Sequence, residues 1–293
     1  MSQKYFGTNV PVFSGFDINA QRPLDPRTVV STYNDLKTIP SIQLYSGLEV
    51  YVEDEEDFYF YNGSIWKQRQ SNTSTATTTD KLSGKSILIA GDSIAYGLGW
   101  NGGFANCLRE NHPTATIKNI AINGYTLAES GANMEIYDQL AHEYLQHQSP
   151  YDILLMDGGG NDLIQGLTMG EPRLDINTSP GNWTTVCNAL DTTFYQVHNL
   201  WPSCKIFFIT LPLYAKGTAG TVPSPEDQLT FWDTLKKICT KYAITVIDLT
   251  NNANMVQFVP EQYNMYYYDT LHFNENGYRK ISNYIENMIL NNF

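Results

Sequence analysis

Two stretches of this 293-residue chain, far apart in sequence, hold the parts of an activated serine. Ser93 lies in Gly91-Asp92-Ser93-Ile94, directly after the apolar run Ile87–Ala90. A serine hydroxyl is a poor nucleophile until a neighbouring base removes its proton. A serine at a strand-to-helix turn projects its hydroxyl outward, and the N-terminal end of the following helix favours a developing oxyanion. A suitable base stands near the other end of the chain, in Asp269-Thr270-Leu271-His272. A carboxylate three residues before a histidine can hold its Nδ1, which fixes the tautomer and leaves Nε2 for the serine.

Two more stretches offer hydrogen-bond donors. Asn123-Gly124 follows a strand candidate ending at Ile122. Glycine lets the backbone approach a ligand and present its N–H. Gly158-Gly159-Gly160-Asn161-Asp162 follows Ile153–Asp157, and there the Asn161 amide can donate into the same cleft. Asp162 is better suited to cap a helix than to react. Taken singly, each stretch also reads as an ordinary turn or cap. The specific signal is that the first three groups all follow strands.

The remaining histidines show no comparable pattern. His142 to His147 nearly copies a zinc-binding HExxH but is one residue too long, and at i, i+5 the two rings lie about 140° apart around a helix. His112 and His198 have no patterned partner. No metal and no cofactor are expected.

The elements that must position these residues are legible from residue 84 onward. Ser86–Ala90, Ile153–Met156, Ile206–Ile209 and Ile244–Ile247 are short, nearly continuous apolar runs, with Thr116–Ile122 a fifth, less apolar one. Such runs suit parallel strands buried on both faces. Helical stretches lie between and after them: Ile136–His147, Thr184–Leu200, Pro225–Tyr242 and Glu275–Leu290. The alternation predicts an α/β fold, a three-layer α/β/α sandwich with a parallel sheet and right-handed crossovers. In such sheets the site lies beyond the carboxyl ends of the strands. The long irregular segment Gln165–Trp183, beside Asn161, is expected to form part of the substrate-binding wall, with Trp183 as one contact. Tyr268, next to Asp269, is the other expected substrate contact, although the run Tyr266-Tyr267-Tyr268 also reads as core.

With these residues in hand, the chain resembles the SGNH (GDSL-type) hydrolases over about residues 84–292. Gly91-Asp92-Ser93-Ile94 resembles their first motif block, Gly124 the second, Gly160-Asn161-Asp162 the third, and Asp269–His272 the DxxH of the last. The resemblance implies the flavodoxin-like SGNH fold and a serine esterase. By it, Ser93 is the nucleophile, His272 the base and Asp269 its orienter. The Ser93 N–H, the Gly124 N–H and the Asn161 side chain would form the oxyanion hole. The run of glycines before Asn161 departs from the family pattern and could alter the cleft floor.

Residues 1–70 read as a separate β-rich module. Thr28–Val30, Glu49–Val52, Phe58–Tyr61 and Ser64–Trp66 are strand-like, Asn62-Gly63 favours a tight hairpin, and Asn34-Asp35-Leu36 can open a short helix. So small a sheet has a thin core and gains by burying Val50, Val52, Phe58 and Phe60 against other copies. Residues 71–83, with the polar run SNTSTATTTD, read as a linker or as an exposed loop of one domain; residues 84–293 would be the hydrolase domain. The N-terminal stretches from Pro23 to Val30, Tyr45 to Val52 and Asn62 to Trp66 are similar to small modules of bacteriophage tail and baseplate proteins. A generic β-module or a carbohydrate-binding appendage is the alternative. The tail resemblance implies attachment to other virion proteins through residues 1–70, a homotrimer, a virion location, and removal of acyl groups, chiefly acetyl, from host surface polysaccharide. Two other readings are a bacterial esterase or lipase acting on small or lipid esters and a non-catalytic receptor-binding tip. Intact Ser93, Asp269 and His272 argue against the second.

Bulk properties narrow the field. The formal net charge of −12 opposes binding to phosphate backbones and to anionic membranes. The N-terminus MSQKYFGTNV lacks the apolar stretch of a secretory signal, and no run approaches the roughly 20 apolar residues of a membrane span. Four scattered cysteines suggest buried thiols.

Overall fold

The computed structural model describes residues 28–68, 80–131, 135–177, 181–215 and 223–293. The chain divides into two compact units, Met1–Thr77 and Thr78–Phe293. The stretch from Pro23 to Arg27 and most of the polar run 71–80 fall outside the described residues.

In the first unit β1 (Val29–Val30), β2 (Glu49–Val52), β3 (Asp57–Tyr61) and β4 (Trp66–Gln68) form one sheet in that order. The β1–β2 pair is parallel and the others are antiparallel. One short helix, α1 (Tyr33–Thr38), begins at a capping box between Thr32 and Asp35. Period-two alternation sorts the strands' side chains. Val50 and Val52 are fully buried with Leu36, Leu48 and Tyr59, while Phe58 is exposed. This corrects the expectation that Val50 and Val52 await another copy: they are consumed by the unit's own core. The hairpin is also longer than expected. Tyr61 pairs with Trp66, so Asn62–Ile65 form a four-residue loop and β4 starts at Trp66 rather than Ser64. The cause is the Asn62 side chain, whose Oδ1 accepts the N–H groups of both Ser64 and Ile65.

The second unit is the predicted three-layer sandwich. Its strands are β5 (Ser86–Ala90), β6 (Thr116–Asn119), β7 (Ile153–Asp157), β8 (Lys205–Thr210) and β9 (Thr245–Asp248). They run parallel in the order β6-β5-β7-β8-β9. The three central strands are almost wholly buried, which explains their unbroken apolar composition. The edge strand β6 is half-exposed, and its sequence is mixed accordingly. The principal helices are α3 (Gly103–Asn111), α4 (Ile136–Gln146), α6 (Val186–Leu200), α7 (Pro225–Lys241) and α10 (Glu275–Asn292), with α2 (Ser93–Tyr96), α5 (Gly160–Gln165), α8 (Leu249–Asn252) and α9 (Pro260–Tyr266) shorter. Helix α3 packs on α10, whereas α4 packs on α6 and α6 on α7, giving one helical layer on each face. A capping box at Ser224 with Pro225 as the first helical residue starts α7, and Asn274 caps α10.

This unit begins before residue 84, contrary to the linker boundary read from composition. Leu82 is fully buried in its core and Asp80 pairs with His112 at 2.7 Å. Polar composition concealed one buried anchor. All four cysteines are free and buried. No helix among the described residues is long and apolar enough to cross a membrane.

Candidate active site

Strand order decides where a site can form. The chain leaves β5 for β6 on one side and later returns to β7 on the other, so a crevice opens above the carboxyl end of β5. Ser93 stands there, as the first residue of α2 (Ser93–Tyr96). Asp92 caps this turn through Ile94 N–H at 3.0 Å. Helix α2 is a single turn, ended by Gly97 in the left-handed region, and α3 starts only at Gly103. The helix expected behind the serine is present but only one turn long. Any help to an oxyanion comes from the local N–H groups of this turn, not from a macrodipole.

His272 reaches Ser93 across 179 positions of sequence: its Nε2 lies 2.8 Å from Ser93 Oγ. Its Nδ1 lies 2.8 Å from Asp269 Oδ2 and 3.0 Å from Oδ1. The loop that carries this pair is built locally. Asp269 Oδ1 also accepts the N–H groups of Leu271 at 2.8 Å and His272 at 2.7 Å. Tyr267 bridges to Phe273, and both are buried. Burial opposes the charge on Asp269, but these N–H donors outweigh it and hold the carboxyl below the usual carboxylate range. An ionised Asp269 favours a proton on Nδ1, leaving Nε2 as the acceptor facing Ser93.

The three expected oxyanion donors lie on the turns around the same crevice. Ser93 and Gly124 N–H find no acceptor among the described residues. Gly124 has φ +82° and open space at its Cβ position, so the loop is free to present its backbone. Asn161, on the first turn of α5 (Gly160–Gln165), behaves differently. Its Nδ2 donates to Tyr125 O at 2.8 Å and to Asp92 Oδ2 at 3.3 Å. Both amide hydrogens thus have acceptors, and donation to an oxyanion would replace the longer of the two bonds. The glycine run is closely packed from behind: a Cβ at Gly158 would stand 2.5 Å from Ile136 Cδ1.

Asp162 does not cap α5. It is buried and accepts the N–H groups of Leu127 and Ala128, each at 2.8 Å, tying the loop after Gly124 to the loop of Asn161. Burial pushes its carboxyl up to about 6, against the pull of those donors. The loop then leads to a cavity of about 600 Å³ lined by Glu129, Gly131, Glu135, Tyr137, Asp138 and Trp183. Tyr137 and Trp183 stack at 4.4 Å. Trp183 thus lines a cavity, whereas the middle of the segment 165–183 is divided. Thr168 and Met169 accept N–H groups from the start of α6, while Leu174 and Ile176 are exposed. Of the tyrosine run, Tyr267 is core and Tyr268 is 63% exposed beside the catalytic loop, its N–H bonded to His272 O at 2.8 Å. Tyr137 and the three acids were not foreseen. Glu135, Tyr137 and Asp138 lie at the start of the amphipathic helix α4, where polar residues look like a solvated face, and Glu129 lies in the loop before it.

The near-HExxH histidines do not share one helix, contrary to the expected helical span Ile136–His147. His142 Nε2 meets Gln146 on α4, while His147 lies beyond its end against Tyr151. Among the described residues no group of three metal-binding side chains occurs.

The family model for GDSL-like lipases/acylhydrolases matches residues 89–280, about two thirds of the chain. None of the curated proteins matches. Solved structures share the fold. A Lactobacillus plantarum protein is 23% identical with a TM-score of 0.61, covering 72% of this chain and 99% of its own. A protein described as a possible lipase from Chitinophaga pinensis is 21% identical with a TM-score of 0.54, covering 71% and 98%. An acetyl xylan esterase is 15% identical with a TM-score of 0.50, covering 70% and 99%.

Proposed function

The chain belongs to the GDSL-like lipase/acylhydrolase family and is a carboxylic-ester hydrolase, and on that premise we propose that Ser93, His272 and Asp269 cleave O-acyl, chiefly O-acetyl, groups from a polysaccharide. The observation that carries the catalytic assignment is the continuous hydrogen-bonded line Ser93–His272–Asp269 at 2.8 Å per step. Ser93 Oγ attacks the ester carbonyl carbon while its proton passes to His272 Nε2. The carbonyl oxygen becomes an oxyanion facing the N–H groups of Ser93 and Gly124, with Asn161 beside them. The C–O bond to the sugar then breaks and His272 protonates the departing alkoxide. Water, deprotonated by His272, attacks the acyl-serine; the acyl C–Oγ bond then breaks, His272 returns the proton to Ser93 Oγ, and the acid is released.

A polysaccharide substrate is supported by the stacked Tyr137–Trp183 pair in its acid-lined cavity. Flat rings pack against sugar C–H faces, and carboxylates accept from hydroxyls. Exposed Tyr268 beside His272 adds a third ring. The acetyl xylan esterase shows that the same fold serves an acetylated polysaccharide in another protein. Trp183→Ala should raise KM for an acetylated polysaccharide about tenfold, the loss expected for one aromatic contact, and leave p-nitrophenyl acetate turnover unchanged. Equal losses on both substrates, or none on either, would count against this cavity as a sugar contact. A panel of acetylated polysaccharides assayed for released acetate identifies the sugar.

We further propose that residues 1–70 attach a homotrimer to a phage tail, which places the enzyme on the virion and the reaction at the host surface. The support is the resemblance of this module to tail proteins, together with the exposed ring of Phe58 on the sheet face opposite Val50 and Val52. Light scattering should return three times the chain mass of 33.1 kDa, and Phe58→Glu should return the single mass. A monomeric wild-type chain defeats the trimer and leaves the esterase standing.

A further inference from the structure

Five residues around the nucleophile, Gly91 to Ala95, are gripped by two buried side chains for which the reaction as written has no use. Asp157 is the last residue of β7 and is wholly buried. The pairing of Ala90 with Met156 places it level with Gly91 on the adjacent strand. Its Oδ1 accepts the Asp92 N–H at 2.9 Å and its Oδ2 accepts the Ala95 N–H at 3.1 Å. These two donors bracket Ser93. Gln139, buried on α4, holds the entry to the same turn. Its Oε1 accepts the Gly91 N–H at 3.1 Å and its Nε2 donates to Gly91 O at 2.9 Å.

The fit around Asp157 is specific. A Cβ at Gly91 would lie 1.5 Å from Asp157 Oδ1, so only glycine lets the carboxyl seat beneath the turn. Two acceptors on one planar group meet two N–H donors. An amide in that place would set an NH2 group against one of them. Nor is the position one that stability alone favours, because burial beside Asp92 drives the Asp157 carboxyl well above the usual carboxylate range. Asp92 extends the linkage outward: its backbone N–H is held by Asp157, and its Oδ2 accepts from Asn161 Nδ2. One buried carboxyl thereby connects the nucleophile turn to the amide expected at the oxyanion.

We propose that Asp157, assisted by Gln139, is a positioning residue that sets the aim of Ser93 Oγ and its N–H relative to His272 and Asn161. The proposal rests on the reading of Ser93 as nucleophile. Displacing a reacting group by about an ångström can cost roughly 100-fold in rate.

The test is the rate of covalent labelling of Ser93 by a fluorophosphonate, measured on folded protein well below its melting temperature, alongside kcat and KM for p-nitrophenyl acetate. Asp157→Asn should slow labelling and lower kcat by roughly 100-fold while KM stays within about twofold. A purely structural role would lower the melting temperature and the labelled fraction but not the labelling rate of the folded remainder, and that result overturns the proposal. If Asp157→Asn does not fold, Gln139→Glu carries the test, since it keeps the acceptor for Gly91 N–H and loses the donor to Gly91 O. An unchanged labelling rate there overturns the proposal. Wild-type protein that takes no label overturns the nucleophile reading and this inference together, whereas a labelled wild type with equally fast Asp157→Asn overturns only the inference.

Discussion

Ser93→Ala should abolish ester hydrolysis, lowering kcat for p-nitrophenyl acetate by roughly four to six orders of magnitude, with KM and melting temperature little changed. The loss is large because, among the described residues, no second hydroxyl or thiol is hydrogen-bonded to His272 Nε2. His272 Nε2 faces Ser93 Oγ, and all four cysteines are buried and free. The loss is confined to chemistry because Ser93 supports its turn through its backbone. Ser93 O accepts the N–H groups of Gly97 and Leu98, and neither bond needs the hydroxyl. The residual rate should stay above that of water, since the Ser93 and Gly124 N–H groups survive the substitution. Turnover by Ser93→Ala near the wild-type rate would remove the catalytic assignment altogether.

His272→Ala should be as damaging as Ser93→Ala, and the double variant no slower than either. A serine without its base and a base without its serine disable the same step, so the two losses do not add. Asp269→Asn tests the third member. The amide keeps a carbonyl oxygen for the N–H groups of Leu271 and His272, so the loop should hold. Its NH2 would face Nδ1, drive the ring proton to Nε2, and so block acceptance of the Ser93 proton. A loss of roughly 10⁴-fold in kcat is expected. Asp269, held below the usual carboxylate range by its N–H donors, stays charged in weak acid and keeps its hold on Nδ1 there. Losses that multiply in the double variant, or an Asp269→Asn enzyme within tenfold of wild type, would show that these residues do not act as a unit.

Much of the second unit is legible in its sequence because strands buried on both faces must be apolar throughout. Ser86–Ala90, Ile153–Asp157 and Lys205–Thr210 announce themselves in this way. Boundary errors fell where a local polar side chain overrides pattern. Asn62 lengthens the first unit's hairpin loop, and Leu82 is a single apolar anchor hidden in a polar run. Asp162 looked like a cap because caps are commonly acidic. Its actual bonds run to Leu127 and Ala128, more than thirty positions away, and no local rule reports them.

The same division holds for the site. Residue types and spacing within a turn are local facts, so the serine after β5, the Asp–His pair before α10, and the expected donors Gly124 and Asn161 could all be named from sequence. Asp269 and His272 are three residues apart, and their pairing follows from that spacing. Tertiary structure alone decided that β5 lies between β6 and β7, which opens the crevice and brings His272 to 2.8 Å from Ser93. It also decided that both Asn161 hydrogens are engaged, that Tyr137 meets Trp183, and that Asp157 and Gln139 close on Gly91 to Ala95. Gln139 left one trace in the sequence, a polar residue on the buried stripe of α4 beside Leu140. Asp157 left another, a carboxylate ending an apolar strand. Neither names its partner, because a hydrogen bond between distant segments depends on strand order and packing, which residue periodicity does not encode.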